Sequence, residues 1–295
     1  MRAFFLCSPT TAAVTTVSTS KEGVSMWING MAQTTLSASD RAVQFGDGCF
    51  TTAAVRHGTV QLLDAHLHRL QTGCARLQIP AADWQQLADE MRAAAAGQAQ
   101  AVLKVILTPG PGGRGYSRAG CTTPTRILSL APWPAHYAAL QQQGARLITS
   151  DVRLARNPLL AGLKHLNRLE QVLIRQQVDS CGADEALVLD TAGTVVECCA
   201  ANLFWRNGST IFTPRLEQAG VDGIMRRYLM AQLAAQGQAC QLTDGSREAV
   251  LNADEVVICN ALMPVLPVRQ IDDVRFHART LYQQLLHSCT KMEAS

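Results

Sequence analysis

Only four lysines occur among the 295 residues, so each can be placed individually. Lys21 falls in a Ser/Thr-rich N-terminal stretch and Lys291 close to the C-terminus. Lys104 sits in AVLKVILT, a strand-forming run in which Leu103 and Val105 point to the opposite face. Lys164 differs, lying in NPLLAGLKHLNRLEQVL just ahead of a helix-forming segment and flanked by Leu163 and Leu166. Apolar surroundings disfavour an ammonium, which is how an amine becomes nucleophilic near neutral pH. The same pattern also suits a surface lysine whose stem lies along apolar side chains with its head in water. Glu197, in VVECCAANLF, closes a β-branched run and precedes small residues and Asn202. A carboxylate there can face a cationic heterocycle nitrogen or simply cap the following turn. Asp47, in QFGDGCF, lies between two glycines, where a purely local turn role is expected.

Two glycine-rich stretches bear on anion binding. GPGGRG at 110–115 follows a strand and formally matches GxGxxG, but the chain continues YSRAGCTTP instead of opening a helix. A dinucleotide fingerprint is excluded on that context, leaving a loop that carries Arg114 and Tyr116. GVDGIMRR at 220–227 turns into a helix, which suits a phosphate on backbone N–H groups or an ordinary loop. His66 and His68 are two apart on a helix and diverge, so they make a poor metal pair, and neither HExxH nor GxSxG occurs.

The elements that must position these residues alternate without strict βαβ order. Hairpins are predicted at Asn29-Gly30 and His57-Gly58. Helices are predicted over 64–79, 83–96 (capped by Asp83), 167–178, 224–236 and 276–287. Strands are predicted at AVLKVILT, TRILSLAPW, ARLITSDVRL, EALVLDTAGTVVEC (a hairpin), NLFWRNGSTIFTP, EVVICNAL and VLPVRQI. The class implied is α+β with mixed or barrel-like sheets. The two prolines of APWPAH divide the chain into a smaller α/β domain over 26–131, a linker over 132–136 and a larger domain over 137–295 carrying Lys164.

Composition narrows the function further. A net charge of +3 without any Lys/Arg run argues against a nucleic-acid partner, and no apolar stretch is long enough to span a bilayer. The ten cysteines include no CxxC pair and read as buried free thiols of a cytoplasmic protein, with no metal site. Arg2 to Cys7 starts like a signal peptide, but the apolar run is too short. Residues 1–25 are read as a disordered tail, or as sequence ahead of a natural start at Met26.

Taken in order, DRAVQFGDGCF, HLHRL, KHLNRLEQVL, ECCAANLFW, GIMR and DEVVICNAL resemble the fold-type IV pyridoxal-phosphate enzymes over residues 26 to about 270. The resemblance implies two domains of mixed sheet or barrel with flanking helices, and pyridoxal 5′-phosphate as cofactor. It implies Lys164 as the Schiff-base lysine and Glu197 as the carboxylate facing the pyridine nitrogen. Arg69 would hold the phosphate with the backbone N–H groups of Ile224, Met225 and Ala261. Aminotransferases of the family usually carry EGS or EGSSSN where this chain has ECCAAN, and often Gly-Thr in place of Asn260-Ala261. QFGDGCFTTA, GGRGYS and CNALMPV are instead similar to its bacterial carbon–oxygen lyases, which begin near Met26. A lyase acting on a small dianionic substrate, with Arg114, Tyr116 and Asn260 as substrate contacts, is therefore expected. An aminotransferase of D- or branched-chain amino acids and a non-catalytic cofactor-binding protein are the alternatives. Relatives are homodimers, and a dimer is expected here.

Overall fold

The computed structural model describes residues 25–293, so the readings made on residues 1–24 lie outside the described residues. In the first part of the chain, β1 (Ser25–Ile28) and β2 (Met31–Ala32) are followed by α1 (Arg41–Phe45), β3 (Cys49–Arg56) and β4 (Thr59–Val60). Then come α2 (Leu63–Leu77), α3 (Trp84–Ala95), β5 (Gln100–Thr108) and β6 (Thr125–Ala131). The strands form one antiparallel sheet in the order β2-β1-β6-β5-β3-β4. Both expected hairpins form, with Asn29 (φ 52°) and Gly30 (φ 80°) at one turn and His57 (φ 50°) and Gly58 (φ 75°) at the other. Two successive left-handed residues match the right-handed twist of the strands they join. Asp83 caps α3 by accepting from the Gln86 N–H at 2.9 Å.

Alternation along this sheet sorts its two faces. Ala53, Val55, Leu103, Val105 and Leu107 pack with Leu70, Leu87 and Met91 of α2 and α3. Phe50, Thr52 and Lys104 occupy the alternate positions, on the other face. The Lys104 ammonium lies 5.0 Å from the Phe50 ring centre on that face.

The rest of the chain supplies α4 (Tyr137–Gln143), β7 (Ala145–Thr149), α5 (Leu169–Ser180), β8 (Glu185–Leu189), β9 (Val195–Cys198), β10 (Asn202–Asn207) and β11 (Thr210–Pro214). It continues with α6 (Ile224–Ala235), β12 (Gln241–Thr243), α7 (Arg247–Leu251), β13 (Glu255–Cys259), β14 (Leu266–Ile271), β15 (Val274–Arg275) and α8 (Thr280–Glu293). The second sheet is mixed, ordered β12-β11-β10-β13-β14-β7-β8-β9 with β15 on β14. Leu203 and Trp205 of β10 enter one core with Leu147, Leu187 and Ile258. Phe204, between them, turns to the other face and packs with α6 and α8 through Met225, Leu229, Leu281 and Leu285. An apolar load on both faces explains why β8, β9 and β13 are buried at every position.

Three expectations on element bounds are corrected. The strand expected over 145–154 stops at Thr149, whose N–H and hydroxyl bind Asp272 while Ser150 turns to Gln177. The helix expected from Asn167 begins at Leu169, because the Asn167 side chain donates to the Gly46 carbonyl and Arg168 folds back onto the Leu163 and His165 carbonyls. The last helix begins at Thr280 instead of Phe276, which is buried in the core with its N–H on the Arg269 carbonyl. The short helices α1, α4 and α7 were not anticipated. The nine described cysteines carry free thiols, and not all are buried, since Cys181 is exposed. Among the described residues no helix is long and apolar enough to cross a membrane.

Candidate active site

Lys164 lies on an extended segment that ties the two sheets together. Its carbonyl accepts from the Phe50 N–H at 2.9 Å, and the Leu166 N–H donates to the Gly48 carbonyl at 2.9 Å. That approach requires glycine at 48: a Cβ there would lie 2.6 Å from both the Leu107 carbonyl oxygen and a Leu166 methyl. The Lys164 side chain enters a cavity of about 210 Å³ with its ammonium 4.7 Å from the Phe50 ring centre. Burial, with Arg69 and Arg168 adding like charge, pushes this amine down to about 8 against the opposing pull of Glu197. The surface-lysine reading is therefore set aside.

Glu197, one residue before the end of β9, lines the same cavity. Its Oε2 accepts from the Val221 N–H at 2.8 Å. Burial raises its carboxyl, and the Val221 N–H, Arg168, Lys164 and the Gln171 side chain work against that rise. The opposite requirement, a seat for an anion, is met by Arg69 of α2 and the start of α6. The Arg69 guanidinium donates to the Asp222 carbonyl at 3.0 Å, and burial followed by the neighbouring Arg227 lowers it to about 10. It remains a cation at neutral pH. Gly223 caps α6 without a side chain, which leaves the first-turn N–H groups without a side-chain cap, and Gly223, Ile224 and Met225 line the cavity together with Ala261. A Cβ at 223 would meet Asn202 Oδ1 at 1.9 Å, and Asn202 itself holds the Val221 carbonyl at 2.9 Å.

Of the residues singled out in the sequence, the fold gathers Lys164, Glu197, Arg69, Ile224, Met225, Ala261 and Asn260 around this one cavity. Arg114 and Tyr116 are not among its lining residues; they ride on an exposed loop between β5 and β6. Asn260 lines the cavity, with its amide donating to the Ala200 carbonyl and accepting from the Leu262 and Met263 N–H groups.

The local turn role expected of Asp47 is corrected, because its carboxylate bridges Arg41 and Arg118. Burial opposes that charge, but hydrogen bonds from Arg118 and Arg41 outweigh it and hold the carboxyl below its usual range. Arg41 in turn grips the loop through the carbonyls of Gly115, Tyr116 and Ser117. Arg168, Gln171, Tyr137 and Thr52 also line the cavity and were not singled out. An arginine four residues beyond the candidate lysine was the one available signal for Arg168.

Residues 48–271 match the family described as amino-transferase class IV. The chain belongs to that family. This class IV chain is 40% identical over 245 residues to aminodeoxychorismate lyase of Vibrio harveyi, covering 83% of this chain and 90% of the relative. Its fold is similar to the crystal structure of 4-amino-4-deoxychorismate lyase from Pseudomonas aeruginosa, with a TM-score of 0.86, 41% identity and coverage of 90% and 98%. A putative branched-chain-amino-acid aminotransferase of Methanocaldococcus jannaschii is 28% identical, over 80% of this chain and 83% of its own length. The fold is thus the fold-type IV one, and the cofactor is pyridoxal 5′-phosphate.

The class IV site fits that cofactor on its own chemistry. It offers one amine lowered toward neutrality for an aldehyde, and a buried carboxylate whose charge a protonated ring nitrogen would satisfy. It also offers a buried guanidinium beside a helix start for a phosphate.

Proposed function

We propose that the chain is an aminodeoxychorismate lyase, converting 4-amino-4-deoxychorismate to 4-aminobenzoate and pyruvate, a step toward folate. The 40% identity to the Vibrio harveyi lyase carries the choice of reaction, since the aminotransferase relative stands at 28%. The chemistry rests on Lys164 and Glu197 lining one cavity.

Pyridoxal phosphate, when bound, supplies an electron-accepting ring. Lys164 is read as the residue that holds the cofactor aldehyde and as the base that takes the substrate's C4 proton. An amine at about 8 is well matched to proton transfer near neutral pH. Glu197 keeps the ring nitrogen protonated. Arg69 and the Ile224, Met225 and Ala261 N–H groups fix the phosphate, so that the C4 proton is presented to the amine. Loss of the C4 proton to Lys164 and cleavage of the carbon–oxygen bond to the enolpyruvyl group make the substrate ring aromatic, and the departing enolpyruvate takes up a proton at its methylene carbon to become pyruvate. That driving force belongs to the substrate, which leaves positioning and proton handling to the protein.

The working unit is read as a homodimer. Leu169, Val172 and Leu173 form an i, i+3, i+4 stripe on α5 and are 71%, 51% and 44% exposed, with Leu159 at 82%. Arg114 and Tyr116 lie outside their own chain's cavity, and in this reading they serve the cavity of the second copy by binding the substrate carboxylates.

The test is turnover of 4-amino-4-deoxychorismate by the purified holoenzyme, following 4-aminobenzoate by fluorescence and pyruvate by a coupled dehydrogenase. Equimolar release of both is expected. Amino transfer to 2-oxoglutarate from a D- or branched-chain amino acid, without aromatic product, would overturn the lyase reading.

A further inference from the structure

Glu185, at the start of β8, is a buried carboxylate that the chemistry above does not use and that does not itself line the cavity. Its Oε2 accepts from the Ala186 and Cys199 N–H groups, both at 2.9 Å, and its Oε1 from the Ala200 N–H at 2.7 Å. Cys199 and Ala200 follow the end of β9 and form cavity wall two and three residues beyond Glu197. The Ala200 carbonyl accepts from Asn260 Nδ2 at 3.1 Å. Asn260 Oδ1 accepts from the Leu262 and Met263 N–H groups at 2.9 and 2.8 Å, closing the turn that presents Ala261. One continuous hydrogen-bonded line therefore runs from Glu185 through the Cys199–Ala200 wall to the turn that presents Ala261.

We propose that Glu185 is a positioning residue for this reaction, holding the Cys199–Ala200 wall and, through Asn260, the 261–263 turn in register around the bound ring and substrate. Three N–H donors converge on two oxygens, and only a carboxylate, which accepts at both, satisfies all of them. A carboxamide would turn an NH₂ group toward at least one of these donors. The groups facing Glu185 are Arg175 on α5, Tyr137 on α4, and Cys198 and Cys199 at the end of β9. Burial pushes its carboxyl up to about 7 against the three N–H donors and Arg175. As the pH falls through about 7 the carboxyl takes up a proton, the protonated oxygen becomes a weaker acceptor for its N–H donors, and the wall loosens.

Global stability moves the other way. A carboxyl raised in the folded state above its unfolded value of 4.5 adds stability that is fully present below that value and is lost as the pH rises toward about 7. A merely structural role and a positioning role thus separate.

The substrate arm of the test rests on the lyase reading; the exchange arm does not. In the holoenzyme, Glu185→Gln is expected to raise KM about tenfold with kcat within about twofold. Its melting temperature is expected to stay unchanged or rise. The wild-type KM is expected to rise as the pH falls through about 7, and this rise is absent from the variant. Amide hydrogen exchange in a peptide spanning 198–202 is expected to quicken in the variant, with or without cofactor. Unchanged KM and unchanged exchange would overturn the proposal, as would a fall in KM and kcat together that tracks a lower melting temperature. If the variant does not fold, a wild-type KM that stays flat across about pH 6–8 would overturn it. If wild-type enzyme fails to turn over aminodeoxychorismate, the lyase reading falls, and the exchange of 198–202 still decides the role of Glu185.

Discussion

An amine held at about 8 by burial and by the neighbouring Arg69 and Arg168 is half neutral at that pH, whereas an ordinary lysine would be almost wholly charged. Cofactor uptake by the apo-protein should therefore speed up as the pH climbs through about 8, measured as the rate of absorbance change on mixing. A rate independent of pH between about 7 and 9 would remove Lys164 as the reacting amine. Replacing Lys164 by alanine should lower kcat about 10²–10⁴-fold, the range for a positioned acid–base group, and abolish borohydride labelling at that position. The sequence singled out Lys164 because the chain holds so few lysines, and Glu197 because an acid closes a β-branched run, but a surface and a capping role stayed open until the family resemblance assigned them. Gln171 and Tyr137 were not legible. A glutamine inside a helix and a tyrosine after a proline-rich connector have many ordinary uses, and only the meeting of α5, α4 and β9 gives them this one. Asp47 misled for a related reason, since its partners Arg41 and Arg118 are brought to it by tertiary structure.

At the scale of elements, the start of α6 matters most to the proposed phosphate seat. Gly223 has φ −66° and ψ 138°, a conformation open to any residue, so glycine is required there by space. Gly223→Ala would push on Asn202, shift the Val221–Gly223 turn and misplace the first N–H groups of α6. Cofactor affinity should fall about tenfold or more, checked by equilibrium titration, while unfolding of the apo-protein changes much less. Hairpins and long helices were readable because their signals are local: an Asn-Gly or His-Gly turn and a capping aspartate act within a few residues. Element ends were read less well. The starts of α5 and α8 are set by long-range contacts, Asn167 to Gly46 and Phe276 to the core, and no local window contains them.

For the whole molecule, the exposed stripe on α5 and the loop bearing Arg114 make a joint prediction. Leu169→Glu with Val172→Glu should shift the protein from dimer to monomer in light scattering and lower activity with it. Arg114→Ala should raise KM about tenfold without changing the oligomeric state. A mixture of Arg114→Ala and Lys164→Ala dimers should then recover activity on subunit exchange, because one of the two cavities in each mixed dimer has both residues intact. Lack of recovery would place Arg114 at its own chain's cavity or at none. The two sheets and their order could not be read from the sequence, because β14 and β7 pair across more than a hundred residues and no motif marks such a pairing.

The Arg41 clasp holds the Gly-rich loop by the main-chain carbonyls of Gly115, Tyr116 and Ser117, a group that every amino acid possesses. Its grip is thus indifferent to the side chains it presents. Substitutions along the loop can change what meets an incoming molecule while the loop keeps its course and the buried Arg41–Asp47 pair stays intact. Such a joint makes the loop an interchangeable part, the kind of segment through which one scaffold acquires new substrates by small steps, and a natural place to graft a different recognition sequence.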